Sequence, residues 1–110
     1  GPPVHAPELV LLECASALTR RVRRGEASTE QARDALDDLA TVPFVFRRDR
    51  LLAGDAFLLS ARLRHPIYDC LYLALAMTVD GVLVTADRRF ERAAAAAGFG
   101  DRVTTLGANA

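Results

Sequence analysis

Asp69 and Asp87 are the residues whose type and spacing best suit chemistry, and they stand near the two ends of residues 65–90. This stretch has the pattern of a helix, a tight stop and a short strand. The helical part, residues 69–81, rises about 18 Å at about 1.5 Å per residue, and the strand, residues 82–87, returns about 20 Å at about 3.3 Å per residue. If helix and strand pack antiparallel, both carboxylates lie at the carboxyl edge of a parallel sheet, where open α/β folds bind ligands.

Carboxylates that meet in this way suit a metal ion. Two of them repel each other unless a proton or a cation holds them together, and a hard divalent ion such as Mg²⁺ takes oxygen ligands of this kind. A third acid, Glu13, lies within the apolar stripe of the first predicted helix, and it completes most of an acidic cage if that helix packs beside the same edge. Such a cage suits phosphodiester hydrolysis, because a bound metal generates hydroxide and neutralises developing charge.

Each acid also has a structural interpretation. Glu13 can form an ion pair with Arg20 or Arg47, or lie at the exposed rim of its helix. Asp69 falls in the first turn of a helix, where a negative charge is stabilising. Asp87 can cap the helix that follows it. The metal hypothesis therefore depends on the three acids in combination.

Other catalytic patterns are absent from the sequence. There is no phosphate-binding GxxxxGK[ST] segment and no nucleophile elbow. His5 and His65 have no serine or cysteine at a recognisable spacing, so we interpret both as incidental polar residues. Cys14 and Cys70 form neither a CxxC pair nor a zinc pattern, which predicts reduced thiols in a core, with a disulfide between them as the alternative.

The composition is that of one small globular domain. The chain has 110 residues, of which 51% are hydrophobic, and 14 basic residues balance 14 acidic ones. Every basic residue is arginine, which fits phosphate recognition but is equally explained by a coding bias. No apolar run is long enough to span a membrane, and no secretory or transit peptide is visible.

The apolar periodicity predicts an α/β order. Pro7 fits the first position of a helix over residues 8–24, Ser28 or Thr29 caps the next helix, and Asp80 and Gly81 end the one that begins after Pro66. The remaining predicted helices are 29–41, 51–64 and 88–97, the strands are 43–46, 82–85 and 103–106, and residues 107–110 form a loose tail.

Burial is predicted from the same pattern. The continuous β-branched run of residues 82–85 is typical of a strand covered on both faces of a parallel sheet. The inward side chains are expected to be Ala32, Ala35, Leu36 and Leu39 in the second helix, and Leu51, Leu52, Phe57, Leu58, Ala61 and Leu63 in the third.

Three blocks of sequence, PELVLLECASALTRRVRRGE, IYDCLYLALA and LVTADRRF, together resemble the PIN domain and, within that family, the VapC toxins of toxin–antitoxin pairs. The resemblance covers nearly the whole chain. It implies a three-layer, Rossmann-like PIN fold with a short parallel sheet flanked by helices. It further implies an endoribonuclease that depends on Mg²⁺ or Mn²⁺ and cleaves RNA. The family also implies a cytoplasmic homodimer with no membrane association, whose active site is blocked by a VapB-type antitoxin.

The resemblance assigns roles to individual residues. The glutamate of the family's helix falls on Glu13, and its two later aspartates fall on Asp69 and Asp87, so these three are the expected catalytic residues and metal ligands. Thr85 lies in the same block as Asp87. It is expected to support a ligand or a metal-bound water.

The chain departs from the family at its start. PIN domains begin with a strand that carries the first metal-binding aspartate, usually in a VVDAS-like sequence, and nothing here corresponds to it. We therefore expect residues 1–110 to be a single, N-terminally truncated PIN-like domain with the first strand missing and with weak metal affinity and nuclease activity. One alternative is a non-catalytic PIN-like module or fragment that dimerises or binds an antitoxin. Another is a small phosphoryl-accepting α/β domain, although the lysine expected opposite the phosphate is absent.

Overall fold

The computed structural model describes residues 3–106, and the chain divides into two compact units, Gly1–Phe46 and Arg47–Ala110. The described residues form five α-helices and four short strands, so the predicted α/β class is confirmed. That residues 1–110 form a single domain stays a prediction, and the predicted tail over 107–110 lies outside the described residues. Within residues 3–106, every helix falls short of the length and apolarity that a membrane-spanning segment needs.

The first unit contains strand β1 (His5–Pro7) and helices α1 (Val10–Arg23) and α2 (Thr29–Ala40). Strand β2 (Val45–Arg47) follows them in the chain and pairs with β1. The prediction that the first helix begins at Pro7 is wrong, because this proline ends a strand and the helix begins at Val10. Proline lacks an N–H group, so it is equally compatible with the first turn of a helix and with a strand end. The residue before a proline also disfavours the helical conformation, which favours the strand.

The start of α2 was correctly predicted. Ser28 is its N-cap: the Gln31 N–H donates to Ser28 Oγ at 3.0 Å, and the Ser28 N–H donates to Gln31 Oε1 at 2.9 Å. This reciprocal capping box satisfies two N–H groups that the helix leaves unpaired. Among the predicted inward residues Ala32 is buried and Leu36 and Leu39 are half-buried, whereas Ala35 is exposed and its prediction is wrong.

The second unit contains the sheet edge. Strands β3, Leu83–Thr85, and β4, Val103–Thr105, are parallel, with Leu83 opposite Val103 and Thr85 opposite Thr105. The prediction that β3 is covered on both faces is wrong, because Val84 is 55% exposed. The three apolar residues 82–84 show no alternation with polar ones, so the sequence could not indicate the open face. The helices of this unit are α3, Asp49–Leu63, α4, Ile67–Thr78, and α5, Arg88–Ala96, with a short 3-10 turn at Gly100–Arg102.

The core of this unit forms between α3 and α4. Helix α3 buries a single stripe, at residues 52, 56, 59 and 63, whose spacing of four, three and four keeps them on one face. The expected burial of Leu51, Phe57, Leu58 and Ala61 is wrong, because all four are exposed. Helix α3 is apolar nearly all round, so its composition hides the stripe. Helix α4 buries Cys70, Leu71, Leu73, Ala74, Leu75 and Ala76, whereas its apolar residues Ile67 and Met77 are exposed.

A tight turn connects α4 to β3, where the sequence predicted a stop. Asp80 has a left-handed φ of 53°, and the Gly81 N–H donates to the Ala76 carbonyl at 2.7 Å. Arg102 holds the turn from outside: its Nη2 lies 2.7 Å from Asp80 Oδ1, and its Nη1 donates to the Gly81 carbonyl at 3.2 Å. The turn sends β3 back along α4, so the end of the strand reaches the start of the helix.

Candidate metal centre

Asp69 is positioned by the beginning of α4. Pro66 is the N-cap of this helix, Ile67 is its first residue, and Asp69 is therefore in the first turn. Proline suits this end of a helix because an N–H group here would have no intrahelical acceptor, so its absence costs no hydrogen bond. The next residue, Cys70, is fully buried, whereas Asp69 is half-buried. The helix thus anchors Asp69 at the edge of the core with its carboxylate close to solvent.

Asp87 is positioned by the junction between β3 and α5. It is the N-cap of α5, and its Oδ1 accepts hydrogen bonds from the N–H groups of Arg89, at 2.9 Å, and Phe90, at 3.1 Å. The Asp87 N–H in turn donates to Thr85 Oγ1 at 3.1 Å. The capping interpretation of Asp87 is confirmed. Since both capping bonds fall on Oδ1, capping is compatible with a second role for the carboxylate.

His65 lies in the connection between α3 and α4. Its backbone is held by Ser60, whose Oγ donates to the His65 carbonyl at 2.5 Å and whose carbonyl accepts from the His65 N–H at 3.4 Å. Its ring meets the edge of the Phe90 ring, with 5.0 Å between centroids. Interpreting His65 as incidental overlooked one signal in the sequence. His65 directly precedes the N-cap proline of α4, so it is fixed at the same helix end as Asp69.

These three side chains converge. One ligand atom of each of His65, Asp69 and Asp87 lies within 4.8 Å of the other two. The predicted approach of the two aspartates is therefore confirmed, and the imidazole joins them. Two carboxylate oxygens and one imidazole nitrogen form a donor set that fits a divalent cation.

The electrostatics of the cluster agree with a cation site. Burial raises the pKa of the Asp69 carboxyl above its ordinary value, and the negative charge of Asp87 raises it further, while His65 acts in the opposite direction. Holding both aspartates ionised is therefore unfavourable without a partner. A divalent cation between them would remove this cost, because it favours the charged form of both groups.

A cavity of about 230 Å³ opens beside Asp69. Thr85, which accepts a hydrogen bond from Asp87, and Phe90, whose ring contacts His65, both line this cavity. Its complete lining is Asp69, Tyr72, Leu83, Val84, Thr85, Ala86 and Phe90. Both polar and apolar side chains therefore line the cavity, as is usual for a ligand site.

Glu13 lies on α1 in the first unit, at a half-buried position. That it joins Asp69 and Asp87 as a third acidic ligand stays a prediction. The pKa of the neighbouring Cys14 thiol is raised, mainly by burial and in addition by the negative charge of Glu13. Burial likewise raises the pKa of Cys70, and both cysteines are free, as the sequence predicted for reduced thiols.

Comparison with known proteins shows the family to which the chain belongs. The sequence pattern that describes the PIN domain matches residues 2–96. Ribonuclease VapC1 of Mycobacterium tuberculosis, from strains CDC 1551/Oshkosh and ATCC 25618/H37Rv, is 40% identical to the chain over 91 residues. The aligned region covers 81% of this chain and 66% of that relative, so the chain spans about two thirds of the relative's length. On the breadth of the first match, the chain belongs to the PIN domain family.

Proposed function

We propose that the chain is the catalytic part of a VapC-type toxin that hydrolyses RNA phosphodiesters at a Mg²⁺ or Mn²⁺ ion held by Asp69 and Asp87. The observation that carries the proposal is the approach of these two carboxylates within 4.8 Å beside a cavity, in a member of the PIN family. The 40% identity to a protein named a ribonuclease supports RNA as the substrate.

In this proposal the acids hold the ion and the neighbouring residues fix the acids. Asp69 and Asp87 bind the ion directly. When bound, such an ion supplies a nucleophilic hydroxide at neutral pH and offsets negative charge on the phosphate. Thr85 keeps the backbone of Asp87 in place through its 3.1 Å hydrogen bond.

Positive charge for the nucleic acid lies next in the chain. Arg88 and Arg89 directly follow Asp87 at the start of α5, and both are exposed. Arginine side chains bind backbone phosphates through charge and paired N–H donors, without reading the base sequence. We propose that they hold the RNA strand while Asp69 and Asp87 act on one of its phosphodiesters.

The test is cleavage of a single-stranded RNA by the purified chain with Mn²⁺, with Mg²⁺ and with EDTA. We expect cleavage only with metal, and a loss of about 100-fold in Asp69→Asn and in Asp87→Asn, since asparagine keeps the shape but loses the charged ligand. Asp101→Asn is the matched control, because Asp101 is an exposed acid of the same unit. Unchanged cleavage in both site variants would refute the assignment. Antitoxin binding without any metal-dependent cleavage would favour the non-catalytic alternative.

We propose in addition a homodimer, a VapB-type antitoxin as protein partner and a cytoplasmic location. Two exposed apolar residues, Leu58 of α3 and Met77 of α4, line a cavity of about 400 Å³ formed by these two helices, which supports a protein contact there. The free cysteines suit a reducing compartment.

Light scattering tests the homodimer. We expect a dimer that Leu58→Glu converts to a monomer, and a monomeric wild type would contradict the proposed homodimer.

A further inference from the structure

We propose that His65 donates an imidazole nitrogen to the ion held by Asp69 and Asp87, and that this donor gives the centre a preference for Mn²⁺ over Mg²⁺. The inference rests on the proposed function in one respect, that Asp69 and Asp87 bind a divalent ion. It adds a ligand and a metal preference that the acidic residues alone do not supply.

The distances suit a shared ion. The ligand atoms of His65, Asp69 and Asp87 all lie within 4.8 Å of one another. Two ligands on opposite sides of one ion, each about 2.1 Å from it, are about 4.2 Å apart. Small side-chain rotations therefore bring the imidazole and both carboxylates into one coordination shell.

The backbone around His65 is fixed on both sides, as a ligand position requires. Arg64 before it is the C-cap of α3, in the left-handed conformation with φ of 54°, and Pro66 after it is the N-cap of α4. Two hydrogen bonds to Ser60 hold the residue between them. His65 is therefore carried on a rigid corner rather than on a free loop.

The ring of His65 is also supported. It packs at a 65° interplanar angle against Phe90, which is 1% exposed and belongs to the core of the unit. Phe90 is in turn tied to the centre, because its N–H donates to Asp87 Oδ1. Phe90 thus orients the ring of His65 and donates its N–H to the carboxylate of Asp87, which couples the positions of the two ligands.

The chemistry of the donors predicts the metal preference. Mg²⁺ is bound almost entirely by oxygen and gives up its waters reluctantly. First-row transition ions accept imidazole nitrogen readily, and Mn²⁺ also takes carboxylates. Replacing a bound water by the imidazole therefore stabilises Mn²⁺ more than Mg²⁺.

The experiment uses pulsed electron paramagnetic resonance of Mn²⁺ added to the 110-residue chain. We expect the spin echo to show coupling to a directly bound ¹⁴N nucleus, replaced by the ¹⁵N pattern when the protein carries ¹⁵N-labelled histidine. The chain has two histidines, so His5→Gln is the matched control that keeps the coupling and His65→Gln is the variant that loses it. Isotope labelling leaves the fold unchanged, so the wild type decides the question even if His65→Gln is unstable.

Metal affinities measured by titration give a second readout. We expect His65→Gln to weaken Mn²⁺ binding by about 10-fold and Mg²⁺ binding by less than about 3-fold. An equal loss for both ions, absence of nitrogen coupling in the wild type, or failure of the wild type to bind Mn²⁺ would each overturn the proposal.

RNA cleavage, measured in parallel, separates the two hypotheses. Metal-dependent cleavage without nitrogen coupling would overturn the role of His65 and leave the ribonuclease proposal standing. Nitrogen coupling that is lost in His65→Gln, in a chain that cleaves no RNA, would support the role of His65 and count against the ribonuclease proposal.

Discussion

Asp69 in the first turn of α4 and Asp87 at the cap of α5 present ligand oxygens within 4.8 Å of each other, although they belong to different elements. Two like charges at this distance, one of them half-buried, oppose folding when no cation is bound. The feature that suits the pair to metal binding therefore lowers stability in the metal-free protein.

Replacing Asp69 by asparagine is expected to stabilise the metal-free chain. Burial and the charge of Asp87 raise the folded-state pKa of Asp69, so the ionised form costs stability at any pH above that raised pKa. The cost disappears as the pH falls through the raised pKa to below the ordinary value. With EDTA, Asp69→Asn should therefore unfold at a higher temperature than the wild type at about pH 7, and the difference should shrink toward about pH 3.

Asp101→Asn is the control for this effect, because it removes an exposed acid of the same unit. We expect its unfolding temperature to match that of the wild type at both pH values. If Asp69→Asn were instead less stable than the wild type at neutral pH, the repulsion between Asp69 and Asp87 would not be the dominant effect.

Asp87 has a structural and a chemical role, and two substitutions separate them. Asp87→Ala removes the Oδ1 that accepts from the Arg89 and Phe90 N–H groups, so we expect the free energy of unfolding to fall by about 1 kcal/mol. Asp87→Asn keeps an oxygen cap and should cost less. Urea unfolding measures both values, and Mn²⁺ titration should show weak binding in both variants. Wild-type Mn²⁺ affinity in Asp87→Asn would remove Asp87 from the ligands.

Thr85 is expected to act through Asp87. Thr85→Val keeps the shape but removes the hydroxyl oxygen that accepts the Asp87 N–H, so unfolding should become easier by about 1 kcal/mol. Loss of such a supporting hydrogen bond should also weaken Mn²⁺ binding by about 10-fold. Thr85→Ser, which keeps the hydroxyl, should bind Mn²⁺ like the wild type. Equal affinities in the valine and serine variants would show that this hydrogen bond is unimportant.

Two neighbouring residues of α3 test the position of the core. Leu59 is 8% exposed, and Leu59→Ala should lower the free energy of unfolding by about 2–4 kcal/mol. Phe57 is larger but 62% exposed, so Phe57→Ala should change it by less than about 0.5 kcal/mol. Chemical denaturation gives both values, and a larger loss for the phenylalanine variant would contradict the packing of α3.

The sequence predicted the elements whose local signals were strong. Asp80 and Gly81 marked the end of α4, Ser28 marked the start of α2, and the matched lengths of α4 and β3 predicted that Asp69 and Asp87 would meet. These predictions succeeded because capping chemistry and rise per residue depend on a few neighbouring residues.

The predictions that failed depended on contacts with other parts of the chain. Which face of α3 is buried is decided by α4, and the apolar composition of α3 did not indicate that Phe57 and Leu58 would be exposed. His65 was overlooked because no sequence motif links it to Asp87. Their proximity arises from the corner before α4 and from Phe90, which contacts both residues.

The most direct test of the central claim is anomalous diffraction from crystals of the chain soaked in Mn²⁺. The account predicts one anomalous peak at about 2.1–2.2 Å from an oxygen of Asp69 and an oxygen of Asp87, absent from crystals of Asp69→Asn soaked in the same way. A fully soaked wild-type crystal with no peak between these two carboxylates, or with its only peak elsewhere, would contradict it.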